Sequence, residues 1–165
     1  MAIVDALLPE LDHEIAVTRK LLERVPDDRS DWKPHIKSYS LGQLATHVAN
    51  LPHWGVITIS QAELDMDGAG VAAVAASRAA LLAAFDEKST AFRAALTGRT
   101  DAELMVPWTL KQSGKIIFSM PKAAVLRSFV MNHLIHHRGQ LSVYLRQLDV
   151  PLPSIYGPSA DENPF

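Results

Sequence analysis

From Lys122 to Leu148 the residues Leu126, Val130, His133, His137, Leu141, Tyr144 and Leu148 recur at three- and four-residue steps, the period of a helix with one buried face. A helix packed against other elements satisfies that period. Within it, the segment Asn132-His-Leu-Ile-His-His-Arg-Gly-Gln140 places three histidines inside five residues. At about 100° per residue, His137 projects near the centre of the apolar stripe, His133 about 40° from it, and His136 about 100° away on its flank. His133 and His137 are therefore expected to face the core, and His136 its rim.

Residues four apart on a helix have Cβ atoms about 5–6 Å apart, so two neutral imidazoles can converge on one cation with bonds of about 2 Å. A single histidine on an apolar face is more often a core residue with ordinary hydrogen-bond partners. Two in one stripe each need a partner or carry a desolvation cost of roughly 1–3 kcal/mol. These residues alone leave ligand and core readings open, and a third histidine elsewhere would decide.

The chain of 165 residues suits one domain spanning 1–165 with a single sizeable core. A hydrophobic fraction of 48%, a charged fraction of 21% and a net charge of −2 are those of a globular protein without a basic field for nucleic acid or anionic membrane. The N-terminus has no basic signal-peptide start, and no apolar run reaches membrane-spanning length, so a cytoplasmic location is expected. Without cysteine there is no disulfide, no thiolate metal site and no cysteine nucleophile. Any metal must use histidine or carboxylate, and any thiol must come from another molecule.

Taken in order, Leu7, Leu8, Leu11, Ile15, Val17, Leu21, Leu22 and Val25 mark a first helix from about Ile3 to Val25, with Pro9 near its first turns. Asp31 to Ser40 reads as a loop. Ser40 followed by Gln43 is a capping-box signature that starts a second helix near Leu41. On that helix His47 shares a stripe with Gln43, Leu44, Asn50, Leu51, Trp54 and Thr58, a mixture that suits a pocket wall, and Pro52 predicts a local kink or widening. His53 projects away and reads as a surface residue. An alanine-rich run from about Val71 to Leu96 predicts a third helix closed by Gly98. Between Leu104 and Ser119 the period changes, consistent with a short hairpin or an irregular excursion turning at Lys111 to Gly114. The fourth helix starts near Pro121, and the Pro-rich tail after Pro151 is placed to fold back over one end.

Four helices with one longer connection predict an all-α, antiparallel four-helix bundle, and bundle interiors are where facing helices build metal sites. His47 would then complete a triad with His133 and His137. Glu10-Leu-Asp-His13 has the Glu-x-x-His spacing of di-iron bundles, but it occurs once, and the inward stripes of helices two and four carry no glutamate.

Four blocks carry a resemblance across nearly the whole chain: Trp32-Lys-Pro-His-Ile-Lys-Ser38, Ser40-Leu-Gly-Gln-Leu-Ala-Thr-His47, His133-x-x-x-His137-Arg-Gly-Gln140 and Tyr156-Gly-Pro-Ser-Ala-Asp-Glu162. In this order the chain resembles the DinB-like (YfiT-like) metalloenzyme superfamily. The resemblance implies an up-down-down-up bundle, often a homodimer, holding one divalent metal such as zinc, nickel or iron through His47, His133 and His137. It also implies a thiol-dependent transferase or isomerase acting on a small electrophilic substrate, because characterised relatives use low-molecular-weight thiols such as mycothiol or bacillithiol.

Three histidines on one cation leave coordination positions open, the pattern of catalytic sites. Asn50, Trp54 and Arg138 are candidate substrate-binding residues, with Arg138 a possible anchor for an anionic group. Gln140 is a candidate partner for a ligating imidazole. A metal-dependent hydrolase is the alternative, with Asp161, Glu162 or His136 as its base, and a non-catalytic metal-binding bundle is a third reading.

Overall fold

The computed structural model describes residues 1–68 and 72–164. Helix α1 spans Ile3–Leu22 with Pro9 inside it. The expected extension to Val25 is instead a turn, closed by Arg24 N and Val25 N donating to Leu21 O and Leu22 O at 3.0 and 3.2 Å. Helix α2 spans Leu41–Ser60 and continues as one helix through Pro52. Its start is set locally. Ser40 Oγ accepts from Gln43 N at 3.2 Å while Gln43 Oε1 accepts from Ser40 N at 2.8 Å, satisfying donors that the helix cannot.

Strand β1, Glu63–Asp65, follows α2 directly. Helix α3 spans Arg78–Leu96, so it starts later than its alanine content predicts. Residues 72–76 are not helical, and Val71 of the expected span lies outside the described residues. Ser77 Oγ caps the helix by accepting from Ala80 N at 3.2 Å, and Ala75 N donates to Thr46 Oγ1 on α2 at 3.0 Å. A cap is worth about 1 kcal/mol, more than the roughly few tenths per residue by which alanine favours helix over other residues. Gly98, at φ 76°, lies just past the end of α3, where a left-handed residue closes a helix.

After the single turn α4, Asp101–Leu104, strands β2, Pro107–Gln112, and β3, Lys115–Pro121, form a hairpin, the first of the two arrangements the sequence left open. Ser113 and Gly114 have φ of 51° and 72°, the positive values at both central positions that match the twist of paired strands. Leu110 pairs with Phe118 and Lys111 with Ile116, leaving Ile117 as a bulge, and Ile116 and Ile117 are both exposed. Strand β1 adds to the hairpin in parallel, Glu63 opposite Thr109, to give a three-stranded sheet in the order β1-β2-β3. The fold is therefore mostly helical but not all-α. A three-residue strand carries too little alternation to announce itself, and its partner lies far along the chain.

The last helical stretch corrects a second expectation. Helix α5, Lys122–Ala124, runs into a π-helical segment, Val125–Met131, and then into α6, Asn132–Gln147. A π turn bonds i to i+5 and so holds an extra residue. The buried residues are Val125, Leu126, Val130, Met131, Leu134, Arg138, Leu141 and Leu145. The wide turn thus displaces the buried face by one position from the one a uniform period projects. His133 and His137 lie at the edge of the stripe, half-buried, rather than at its centre, while His136 is exposed.

Helices α1 and α2 each pack against α3 and α6. A Cβ built on Gly55 would sit 2.4 Å from the Phe92 ring, so the absence of a side chain there allows α2 to approach α3. Among the described residues no helix is long and apolar enough to cross a membrane.

Candidate metal centre

The three histidines reach one point from two helices. His47 sits in the second turn of α2 behind the Ser40 cap, and His133 and His137 sit one turn apart at the start of α6. One ligand atom from each lies within 4.8 Å of those of the other two. The ring centroids are 5.1 Å apart for His47 and His133, 4.5 Å for His47 and His137, and 4.7 Å for His133 and His137. His47 Nε2 and His133 Nε2 face each other at 3.3 Å. Two nitrogens bound tetrahedrally to one zinc at about 2.0–2.1 Å lie about 3.3–3.4 Å apart, so this pair already has the spacing of two ligands. Among the described residues the group contains imidazoles only.

The electrostatics keep these rings neutral. Burial pushes the His133 imidazole down to about 4, and the neighbouring His137, His47 and His136 push in the same direction. His47 is lowered by burial and then by His137. Burial also lowers His137, with its hydrogen bond to Gln140 opposing that shift. Near neutral pH each ring therefore presents a free nitrogen lone pair, the form that binds a cation.

Gln140 selects which nitrogen His137 presents. His137 Nδ1 lies 2.7 Å from Gln140 Oε1, and Gln140 Nε2 lies 3.1 Å from His136 Nε2. With the amide NH2 donating to His136, the amide oxygen accepts from His137 Nδ1–H, which leaves Nε2 of His137 as the lone-pair nitrogen. His136 contributes to the centre through this amide.

Aromatic side chains stand beside two of the three imidazoles. The Phe129 ring, in the π segment, is 5.7 Å from the His133 ring and packs edge-on against Trp54 at 5.4 Å and against Phe118 at 5.3 Å. Tyr39 stands 6.1 Å from His47. Asn50 and Trp54 are half-buried on α2. Phe129 and Tyr39 were not anticipated. The signal for Phe129 is an aromatic residue four positions before His133, which places the two on neighbouring turns.

Arg138 does not face the triad. It is 1% exposed, and its Nη1 donates to Glu14 Oε2 at 2.5 Å and to Thr18 Oγ1 at 3.2 Å. Its Nη2 donates to the Tyr156 hydroxyl at 2.6 Å, which in turn donates to Glu14 Oε1 at 2.8 Å. The guanidinium therefore joins α6 to α1 and to the folded-back tail. The π turn that displaced the buried face put Arg138 on it, and Glu14 on α1 supplies the counter-charge. The signal in the sequence was the pair itself: Glu14 follows Leu11 and precedes Thr18 and Leu21 on the apolar stripe of α1, where a carboxylate needs a cation. Asp161 in the tail pairs with Arg146 and accepts from Leu152 N at 2.9 Å, and Glu162 lies 3.7 Å from Arg24.

The sequence model of the DinB family matches residues 4–163. The chain belongs to the DinB family. The uncharacterised protein YrdA of Bacillus subtilis (strain 168) is 31% identical over 162 residues, which cover 96% of this chain and 91% of that protein. The crystal structure of a DinB-like protein from Bacillus cereus ATCC 10987 superposes with a TM-score of 0.71 at 23% identity, covering 92% of this chain and 97% of that one. A DinB-like protein of Bacillus subtilis, YjoA, gives a TM-score of 0.68 at 21% identity over 87% of this chain and 92% of its own. At these identities the two structures speak for a shared DinB fold.

Proposed function

We propose that this DinB-family protein is a divalent-metal enzyme that brings a low-molecular-weight thiol to a small electrophilic substrate, with His47, His133 and His137 as the metal ligands. The observation that carries the reading is the convergence of three half-buried imidazoles on one point. A divalent transition ion held there, such as zinc, nickel or iron, would supply Lewis acidity that lowers the pKa of a thiol or water beside it. Three protein ligands suit an open, catalytic site.

The chain's own residues prepare that site. Burial keeps the imidazoles unprotonated, Gln140 holds His137 in one tautomer, and Asn50 and Trp54 stand on the wall formed by α2. No cysteine competes for the ion, so an attacking thiol has to arrive with the ligand. The hydrolytic alternative needs a free base. Asp161 is engaged by Arg146, and Gln140 donates to His136, which favours the thiol reading. The packing of α1 and α2 against both α3 and α6 supports the antiparallel four-helix bundle, and a homodimer belongs to the same reading.

Purified protein is expected to carry about one metal ion per chain by elemental analysis, and His137→Ala to lose it; stoichiometric metal in that variant would overturn the ligand assignment. Titrating the cobalt-substituted protein with small thiols is expected to produce thiolate charge-transfer bands. A spectrum unmoved by thiols would remove the thiol from the proposal and leave the metal centre.

A further inference from the structure

The faces that carry the imidazoles continue into aromatic side chains. On the last helical stretch Phe129, His133 and His137 follow one another at four-residue steps, and on α2 Trp54 lies seven residues after His47, two turns along the same face. The two aromatic residues meet at 5.4 Å, so the triad is bordered at one end by an apolar wall that both helices supply.

We propose that the ligand taken up at this centre carries a flat apolar group, an aromatic or similarly planar ring, seated against Phe129 and Trp54 beside His133. This rests on the metal-centre reading above and adds to it the class of substrate. Three observations support it. Phe129, Trp54 and Phe118 are each only partly buried, although Phe129 sits 5.7 Å from a ring of the triad. Trp54 and Phe129 pack against two of the apolar clusters and Phe118 against one, and the Phe129 ring that does so is also the one beside His133. Edge-to-face contacts with centroids about 4.5–7 Å apart are the geometry by which a further ring would add to such a pair.

The second observation is the backbone. Phe129 belongs to the π segment Val125–Met131. Such segments are rare and occur frequently at functional sites. This one sets the positions of Phe129 and of the histidines after it at once.

The third is charge. Arg138, the cation next to His137 in sequence, is held by Glu14, Thr18 and Tyr156, so a remote carboxylate on the ligand finds no anchor in it. Small-molecule sites are typically apolar walls with a few convergent polar groups, and here the imidazoles are the polar groups.

Two hydroxamic acids with the same metal-binding head, benzohydroxamate and acetohydroxamate, separate the wall from the centre. On zinc-loaded protein the phenyl compound is expected to bind about tenfold more tightly, from partial burial of its ring. In Phe129→Ala that preference should fall to about twofold or less with zinc content unchanged, and Phe129→Leu, which keeps bulk but not flatness, should lie between and serves if the alanine variant does not fold. Equal affinities in the wild type, or a preference that survives loss of Phe129 with zinc bound, would overturn the proposal. Failure to load zinc is a failure of the metal reading instead. The wall is then read on metal-free protein by NMR with benzyl alcohol: saturation transfer from the Phe129 and Trp54 rings supports it, and none overturns it.

Discussion

Replacing Arg138 by methionine tests whether the Glu14–Arg138–Tyr156 network is a buried ion pair or a tolerant polar patch. Arg138 and Glu14 are 1% and 4% exposed, and the substitution removes a 2.5 Å charged bond to Glu14 together with bonds to Thr18 and Tyr156. Breaking one partner of a buried pair costs about 3–5 kcal/mol. Glu14 keeps the Tyr156 hydroxyl at 2.8 Å, so Arg138→Met should fall at the low end, about 3 kcal/mol. The double variant Glu14→Leu with Arg138→Met, which leaves no stranded charge, should recover most of that loss and lie within about 1 kcal/mol of wild type. Urea unfolding followed by circular dichroism measures both variants. A cost of Arg138→Met below about 1 kcal/mol, or a double variant no better than the single, would refute the argument.

Three further outcomes are expected. Metal-free protein should lose stability as pH falls from about 6.5, because unfolded histidines take up protons there while His133 stays neutral to about 4; urea midpoints against pH in chelator check this, and His133→Asn should flatten the slope. Gly55→Ala places a Cβ 2.4 Å from the Phe92 ring, so an overpacking cost of about 1–3 kcal/mol should outweigh a gain of about 1 kcal/mol in helix propensity; a more stable variant would contradict the close approach of α2 and α3. Gln140→Ala should weaken zinc binding about 10- to 100-fold in a chelator competition, whereas Gln140→Glu, which keeps the acceptor, should retain most of the affinity; unchanged affinity in the alanine variant would show that His137 needs no such partner.

Short-range chemistry was legible before any coordinates. Ser40 and Gln43 marked the start of α2, Gly98 the end of α3, and the change of period between Leu104 and Ser119 a non-helical excursion, with a hairpin one of its two forms, because caps, left-handed glycines and alternation act within a few residues. The convergence of His47 with His133 and His137 was likewise foreseen, since helical spacing and the bundle expectation bring them toward one interior. Strand β1 was not, because three residues have no period and its pairing with Thr109 to Lys111 is a contact between distant segments. The late start of α3 depended on Thr46 reaching Ala75 from another helix. The tertiary structure alone decided the face of the last helix. A uniform period centred the buried stripe on His133 and His137 and left Arg138 beside the site. The π turn at Val125–Met131 moved burial onto Leu134 and Arg138, put the imidazoles at the accessible edge, and brought Phe129 to His133. A wide turn carries no periodic signature of its own, and a charged residue can occupy the core face only where a distant carboxylate, here Glu14, meets it.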